Sequence, residues 1–196
     1  MGTATDWPVF GIGPAPPAVF VRFWDGLYEG FDEELYKKNI GQPLTAKLVA
    51  ELFKWKNGSN LSKIKAASIS RYHLDEERIA ADATADELKA FLLKPGGVVW
   101  RVFLLHLQHH ERFPIYDQHV HRAMAFLKGQ ERLEIPPQGP KKAQCYLESY
   151  RPFFAELEGL GRRKVDRALW AFGKFLNSEA CLKLMSQARG GFPHQH

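Results

Sequence analysis

The sequence predicts an all-α fold. Apolar residues recur at the spacing of helical turns from about residue 17 onward, and no window shows the apolar–polar alternation of a strand. Capping and turn residues stand where each periodic stretch begins or ends. Residues 1–16 are rich in proline and glycine and are predicted to form an irregular arm, so that residues 17–196 make up a single helical domain.

The composition is that of a folded protein without a membrane span. Of 196 residues, 45% are hydrophobic and 13% aromatic, which supplies a core and excludes disorder as the main state. The longest apolar run, residues 98–107, has about half of the ~20 residues that a spanning helix needs, and no secretion signal is recognisable. Cys145 and Cys181 are too few for a disulfide scaffold or a four-cysteine cluster. We therefore expect a cytoplasmic protein, associated with the nucleoid if bacterial, although a net charge of +5 does not by itself identify a nucleic-acid partner.

Caps and stops define the helices of the first half. Pro43 suits the first turn of a helix that Gly58 ends. Thr84 and Glu87 form a capping box that opens another helix, which must end at Lys94 because a Pro-Gly-Gly run follows. The apolar faces of these two helices are predicted to contain Leu44, Leu48, Leu52 and Trp55 in the first, and Leu88, Phe91 and Leu92 in the second.

The second half continues the helical pattern. Residues 98–107 are apolar almost all round, which predicts a helix buried on most sides. A polar break at residues 109–112 separates it from a helix that runs from Gln118 to a stop at Gly129. The elements predicted beyond it are a loop at residues 130–141, helices around 143–158 and 165–176 with a turn at 159–161 between them, and a last helix opened by Ser178.

Two motifs in this region carry a resemblance to a known family. The run Lys94-Pro95-Gly96-Gly97-Val98 resembles a Leu-Pro-Gly-Val-Gly hairpin, and Pro114-Ile115-Tyr116-Asp117-Gln118-His119-Val120-His121-Arg122 resembles a Pro-x-Asp-x-His-Val-x-Arg segment. Asp117 follows Pro95 by 22 positions, close to the spacing in the helix–hairpin–helix DNA glycosylase superfamily. A late helix at residues 168–174 is also similar, so that the resemblance covers about residues 84–176, with the hairpin and catalytic segment at about 84–128.

The resemblance implies a fold and an activity. Two helical lobes would flank a cleft, and a monomer would bind double-stranded DNA, flip out a damaged or modified base and hydrolyse its N-glycosidic bond without metal or cofactor. Bifunctional members carry a lysine where Trp100 stands here, so lyase chemistry is not expected, and this tryptophan resembles the branch that removes alkylated bases. The implied roles are catalysis for Asp117, a base pocket for Trp100 and Tyr116, and DNA-backbone contact for Lys94, Gly96, Gly97 and Val98.

Physical chemistry gives reasons for these residue types. A glycine hairpin brings backbone N–H groups close to a phosphate, and the N-terminus of the following helix adds positive potential. Base excision requires flipping the base out of the duplex. Cleavage of the glycosidic bond develops positive charge on the sugar, which a nearby carboxylate stabilises. An alkylated purine is itself cationic and stacks well on aromatic rings.

Simpler interpretations stand beside these roles. Asp117 stands directly before a predicted helix and is explained equally by a role as its N-cap. Trp100 has the apolar sequence neighbours of a core residue. Four basic groups are either phosphate contacts or ordinary solvated helix ends: Lys54/Lys56, Lys63/Lys65, Lys141/Lys142 and Arg162-Arg163-Lys164. Because Lys94 replaces the usual hairpin leucine and Gly96-Gly97 replaces Gly-x-Gly, the alternative function is a catalytically inactive module that binds DNA or a protein. A third possibility, a metal-dependent hydrolase, would use His106, His109 and His110, which lie at helical spacing.

Overall fold

The computed structural model describes residues 15–30, 32–58, 61–69, 78–181 and 183, and within these residues it consists of helices joined by loops, without strands. The predicted all-α fold is confirmed for this part of the chain. No helix within these ranges is long and apolar enough to cross a membrane. The elements are α1 (Pro17–Gly26), α2 (Glu33–Asn39), α3 (Ala46–Asn57), α4 (Lys63–Ile69), α5 (Ala85–Leu93), α6 (Val98–Gln108), α7 (Gln118–Leu127), α8 (Gly139–Gln144), a π-helical turn (Cys145–Tyr150), α9 (Arg151–Ala155), a 3-10 turn (Glu158–Leu160) and α10 (Arg162–Leu176).

Local capping sets the bounds of the helices around the hairpin. Both halves of the Thr84–Glu87 capping box are present at the start of α5, as predicted. The predicted start of α3 was wrong: Pro43 lies before the helix, because the Thr45 hydroxyl accepts the N–H of Leu48 (3.2 Å) and begins the helix at Ala46. Gly58 ends α3 in the left-handed conformation (φ 70°), as predicted.

The long helix after the loop also differs from the prediction. It begins at Gly139, where a loop was predicted through residue 141, and continues through α8, the π turn and α9 to Ala155. Pro140 fits the first turn of α8, because N–H groups in a first turn have no hydrogen-bond partner within the helix and the proline therefore loses no bond. Pro152 has no N–H to give the carbonyl of Glu148, and the wider π turn accommodates the proline ring without ending the helix.

Two predicted segments reach beyond the described residues. Residues 1–14 of the irregular arm lie outside them, and Pro16 adopts extended backbone just before α1. The Ser178 hydroxyl accepts the N–H of Cys181 (3.2 Å), which is the bond that opens a helix. The remainder of that last helix falls largely outside the described range.

Helix α6 forms the centre of the core. All of its residues are buried except Val99, Trp100 and Gln108, which confirms the prediction of a helix buried on most sides. Helices α3 and α5 both pack against it, and α8 contacts both α5 and α6. Residues that begin or follow α6 are therefore held by several neighbouring helices.

A second group of helices packs around α10. The most extensive helix–helix contacts are those of α10 with α7 and with α1. Gly173 lies at the crossing of α10 and α7, where a Cβ atom would overlap the carbonyl oxygen of His119. This close approach fixes the start of α7, and with it Asp117. The arrangement of two lobes about a cleft stays a prediction.

Candidate functional site

The Pro-Gly-Gly turn between α5 and α6 is a hairpin stabilised by its own second helix. Gly96 (φ 117°) and Gly97 (φ 88°) both adopt backbone that favours glycine. Arg101, one turn into α6, donates from Nε and Nη2 to the carbonyl oxygen of Pro95 (3.0 and 2.6 Å). Gly97 is the N-cap of α6 and supplies no capping side chain, so it leaves the first amide groups of α6 without a side-chain acceptor at their N-cap.

The four residues predicted to contact the DNA backbone are placed differently with respect to solvent. Lys94 and Gly97 are exposed, and Gly96 is half-buried. The side chain of Val98 is 5% exposed and belongs to the core, so this residue can offer a ligand only its backbone. The ammonium group of Lys94 lies 5.9 Å from the centre of the Phe91 ring.

Asp117 is the N-cap of α7 and is also one half of an ion pair. One carboxylate oxygen accepts the N–H groups of His119 (2.8 Å) and Val120 (3.1 Å). The other accepts a hydrogen bond from the ammonium group of Lys56 on α3. Burial raises the pKa of Asp117, but the charge and hydrogen bond of Lys56, together with smaller contributions from His119 and the N–H of Val120, outweigh burial and hold that pKa below its ordinary value. The site therefore contains an ionised carboxylate in a fixed position.

Lys56 was not predicted to be the partner of Asp117. The side chains of Lys56 and Asp117 are 8% and 13% exposed, so the pair is largely shielded from water. A signal existed, because Lys56 follows Leu52 by four residues and so shares the buried face of α3. A lysine on such a face needs a counterion, although its identity cannot be read from the spacing.

A second group of buried charges lies between α1, α2 and α10. Arg163 binds the carboxylates of Asp166 and Glu33, and its guanidinium lies 4.5 Å from the centre of the Tyr36 ring. Burial raises the pKa of Asp166 to about 6, against the opposing charge of Arg163. Arg167 completes the group by binding Asp25. Arg163 is thus a half-buried residue with protein partners, while its neighbour Lys164 is exposed.

The two residues predicted to form a base pocket lie in different surroundings. Trp100 is half-buried and stacks on Phe53 of α3, with a distance of 5.3 Å between ring centres and an angle of 15°. The Lys65 ammonium group lies 5.8 Å from the centre of the Trp100 ring. Tyr116 is 0% exposed, and its hydroxyl is hydrogen-bonded to Nδ1 of His121 (2.9 Å). Trp100 is therefore partly exposed as a residue, whereas Tyr116 presents none of its surface to solvent.

The histidines singled out for a metal site make hydrogen bonds to the protein. His106 is buried between the Tyr36 hydroxyl (2.7 Å) and the carbonyl oxygen of Phe113 (2.7 Å). His109 is bonded to the carbonyl oxygen of Ile79 (2.7 Å), and His110 pairs with Glu111. In the part of the chain that the structure describes, no three histidine, cysteine, aspartate or glutamate side chains come together as metal ligands.

Comparison with known proteins adds no family to this description, because no family model, no curated protein and no solved structure matches the chain. The fold and the site define an all-α protein with a glycine hairpin ahead of its central helix and a lysine-paired aspartate at the start of the next. The inference of function therefore depends on the chemistry of these residues.

Proposed function

We propose that the protein removes a base from double-stranded DNA by hydrolysing its N-glycosidic bond, with Asp117 as the catalytic carboxylate. The observation that carries this proposal is the ionised, immobilised carboxylate of Asp117, which follows the hairpin at the spacing of the DNA glycosylases that the sequence resembles. A carboxylate in that state stabilises the positive charge that develops on the sugar as the bond breaks. It also orients a water molecule for attack.

The hairpin supports the DNA-binding half of the proposal. Its glycines let backbone approach a phosphate closely, and the uncapped N-terminus of α6 favours an anion. The exposed Lys94 adds a positive charge beside them. Together these groups form a surface that binds the DNA backbone without any base-specific contact, which suits an enzyme that searches duplex DNA for damage.

Lys56 has two consequences for the proposed chemistry. Its charge keeps Asp117 ionised, and it occupies the carboxylate oxygen that does not cap α7. It also places an amine beside the aspartate, although the position that carries the lyase lysine in bifunctional glycosylases is Trp100 here. We propose hydrolysis without strand cleavage, and reduction with borohydride tests this point: a covalent DNA adduct that disappears in Lys56→Met would contradict it.

Asp117→Asn tests the catalytic role. Asparagine still accepts hydrogen bonds as an N-cap, so the start of α7 is expected to persist while the negative charge is lost. We expect base release to fall at least about 100-fold and duplex binding to change less than about threefold. The measurement is alkali-induced strand breakage of duplexes that contain alkylated, deaminated or oxidised bases, together with binding to the same duplexes.

Asp86→Asn is the matched control, because Asp86 is an exposed aspartate in the first turn of α5. It removes the same charge away from the site and is expected to leave base release unchanged. Full activity in Asp117→Asn would contradict the assignment of Asp117. Absence of base release by the wild-type protein from every substrate tested would contradict the enzyme proposal as a whole.

A second candidate, a DNA- or protein-binding module without catalysis, is favoured by one observation. Both oxygens of Asp117 already have protein partners, and its side chain is only 13% exposed. Such a module would bind duplex DNA with an affinity that falls steeply with salt and would create no alkali-labile sites. The assays above separate the two candidates, because they measure binding and base release on the same substrates.

A further inference from the structure

A cavity of about 340 Å³ lies among the segment before α7, the end of the long α8–α9 helix and the start of α10. Three arginines from separate parts of the chain line it: Arg112, Arg151 and Arg162. The rest of its wall consists of the apolar residues Pro114, Leu147, Pro152, Phe154 and Ala155 together with the acidic Glu158. Clustered guanidinium groups around an apolar wall are suited to an anion that carries a nonpolar portion.

Aromatic rings hold the three guanidinium groups in place. Those of Arg151 and Arg112 lie 4.7 Å and 5.7 Å from the centre of the same ring, that of Phe113. The guanidinium of Arg162 lies 5.2 Å from the centre of the Phe154 ring. An arginine held against a ring keeps its N–H edge available for an oxygen ligand, and less side-chain entropy is lost when it binds.

The charges around the cavity are not balanced. Glu158 pairs with Arg162, whose Nη2 atom has no hydrogen-bond partner among the described residues. Within the same part of the chain no carboxylate lies within ion-pair distance of Arg112 or Arg151. Helix α10 begins at Arg162 with no capping side chain and no acidic residue in its first turn, so its dipole adds positive potential. Arg112 and Arg151 carry like charges near the same Phe113 ring, and an anion bound close to both would reduce their repulsion.

We propose that this cavity binds the phosphate group of a small phosphorylated molecule, with the nonpolar part of that molecule against Phe154 and Leu147. The volume is in the range of small-ligand sites, and a DNA duplex is too broad to enter it. None of the residues that line the cavity belongs to the hairpin or to the Lys56–Asp117 pair. It is therefore a separate site, and it does not depend on the proposed base excision.

Calorimetric titration of the whole chain with inorganic phosphate, phenyl phosphate and phenol tests this inference. Phenyl phosphate is expected to bind more tightly than inorganic phosphate, and phenol is expected not to bind. Arg112→Gln and Arg151→Gln are each expected to weaken phenyl phosphate binding by about tenfold or more, because each removes charge-assisted hydrogen bonds. Unfolding temperatures without ligand establish that these variants are folded.

Lys164→Gln is the matched control, since Lys164 is an exposed residue on α10 that does not line the cavity. It removes one positive charge and is expected to change binding less than twofold. Absence of saturable phosphate binding, or equal weakening by the control, overturns the proposal. If Arg112→Gln and Arg151→Gln weaken binding of duplex DNA as strongly as binding of phenyl phosphate, the cavity is part of a DNA-binding surface and the small-molecule site is likewise refuted.

Discussion

The buried His106 should make the stability of this protein fall in mild acid. Its Nδ1 faces the carbonyl oxygen of Phe113, which only accepts hydrogen bonds, so Nδ1 carries the proton and donates it. In the neutral ring Nε2 then accepts from the Tyr36 hydroxyl. Burial disfavours the charged ring and lowers the pKa of His106 from 6.5 to about 3, although the bond to Phe113 acts in the opposite direction.

The sign and size of the effect follow from proton linkage. Below pH 6.5 the unfolded chain takes up a proton at residue 106, and the folded protein does not do so until the pH approaches 3. Stability from this residue is therefore complete above pH 6.5 and is lost as the pH falls. Between pH 7.5 and pH 5 the loss amounts to about 2 kcal/mol, since each unit between the two pKa values corresponds to about 1.4 kcal/mol.

Urea unfolding of the wild type and His106→Gln at pH 7.5 and pH 5 measures this contribution. Glutamine has a similar volume and keeps a polar group in the core but does not titrate, so the variant should lose about 2 kcal/mol less than the wild type between the two pH values. Titration of the other groups is common to both proteins and cancels in the comparison. An equal loss in both proteins would show that His106 does not remain neutral in the folded state.

Two further predictions concern glycines. Gly173→Ala should destabilise the protein by about 3 kcal/mol or more, because the new Cβ atom would overlap the His119 carbonyl and force α10 away from α7. Thermal or urea unfolding measures this loss, and an unchanged unfolding midpoint would contradict the close crossing of the two helices. Gly97→Ala should lower the free energy of unfolding by about 1–2 kcal/mol, because φ at Gly97 is 88°. The control is Gly139→Ala in the first turn of α8, which should be neutral or slightly stabilising because its Cβ atom would make only ordinary contacts. Equal effects of the two substitutions would refute the conformational explanation.

Much of the helical structure could be predicted because its determinants are local. The capping box of Thr84 and Glu87 involves residues within one turn of each other, and it appears in the structure as the sequence indicates. The burial of α6 follows from its apolar residues on every side. The start of α3 was missed because Thr45 competes with Pro43 as the initiating residue, and capping by a side chain decided the outcome.

The candidate site was predictable only in part. The glycine hairpin and the position of Asp117 at the start of α7 are visible in the sequence as turn and cap residues. The partner of Asp117 is not, since Lys56 lies 61 residues away on a helix with no motif of its own. Arg163 illustrates the same limit, because it lies in a basic run typical of a surface and is nevertheless packed against Tyr36.

The sequence by itself therefore determined the all-α class, the end of α3, the ends of α5 and α6, the start of α7 and the glycine turn of the hairpin, because hydrophobic periodicity, capping and backbone sterics act over a few residues. Only the tertiary structure decided which charges meet. The Lys56–Asp117 pair and the Tyr36–His106 hydrogen bond each connect helices that are far apart in the chain. The approach of Arg112 and Arg151 to the same Phe113 ring depends on how the neighbouring helices pack. Electrostatic energies depend on these distances and on the exclusion of water, and neither is encoded in residue spacing.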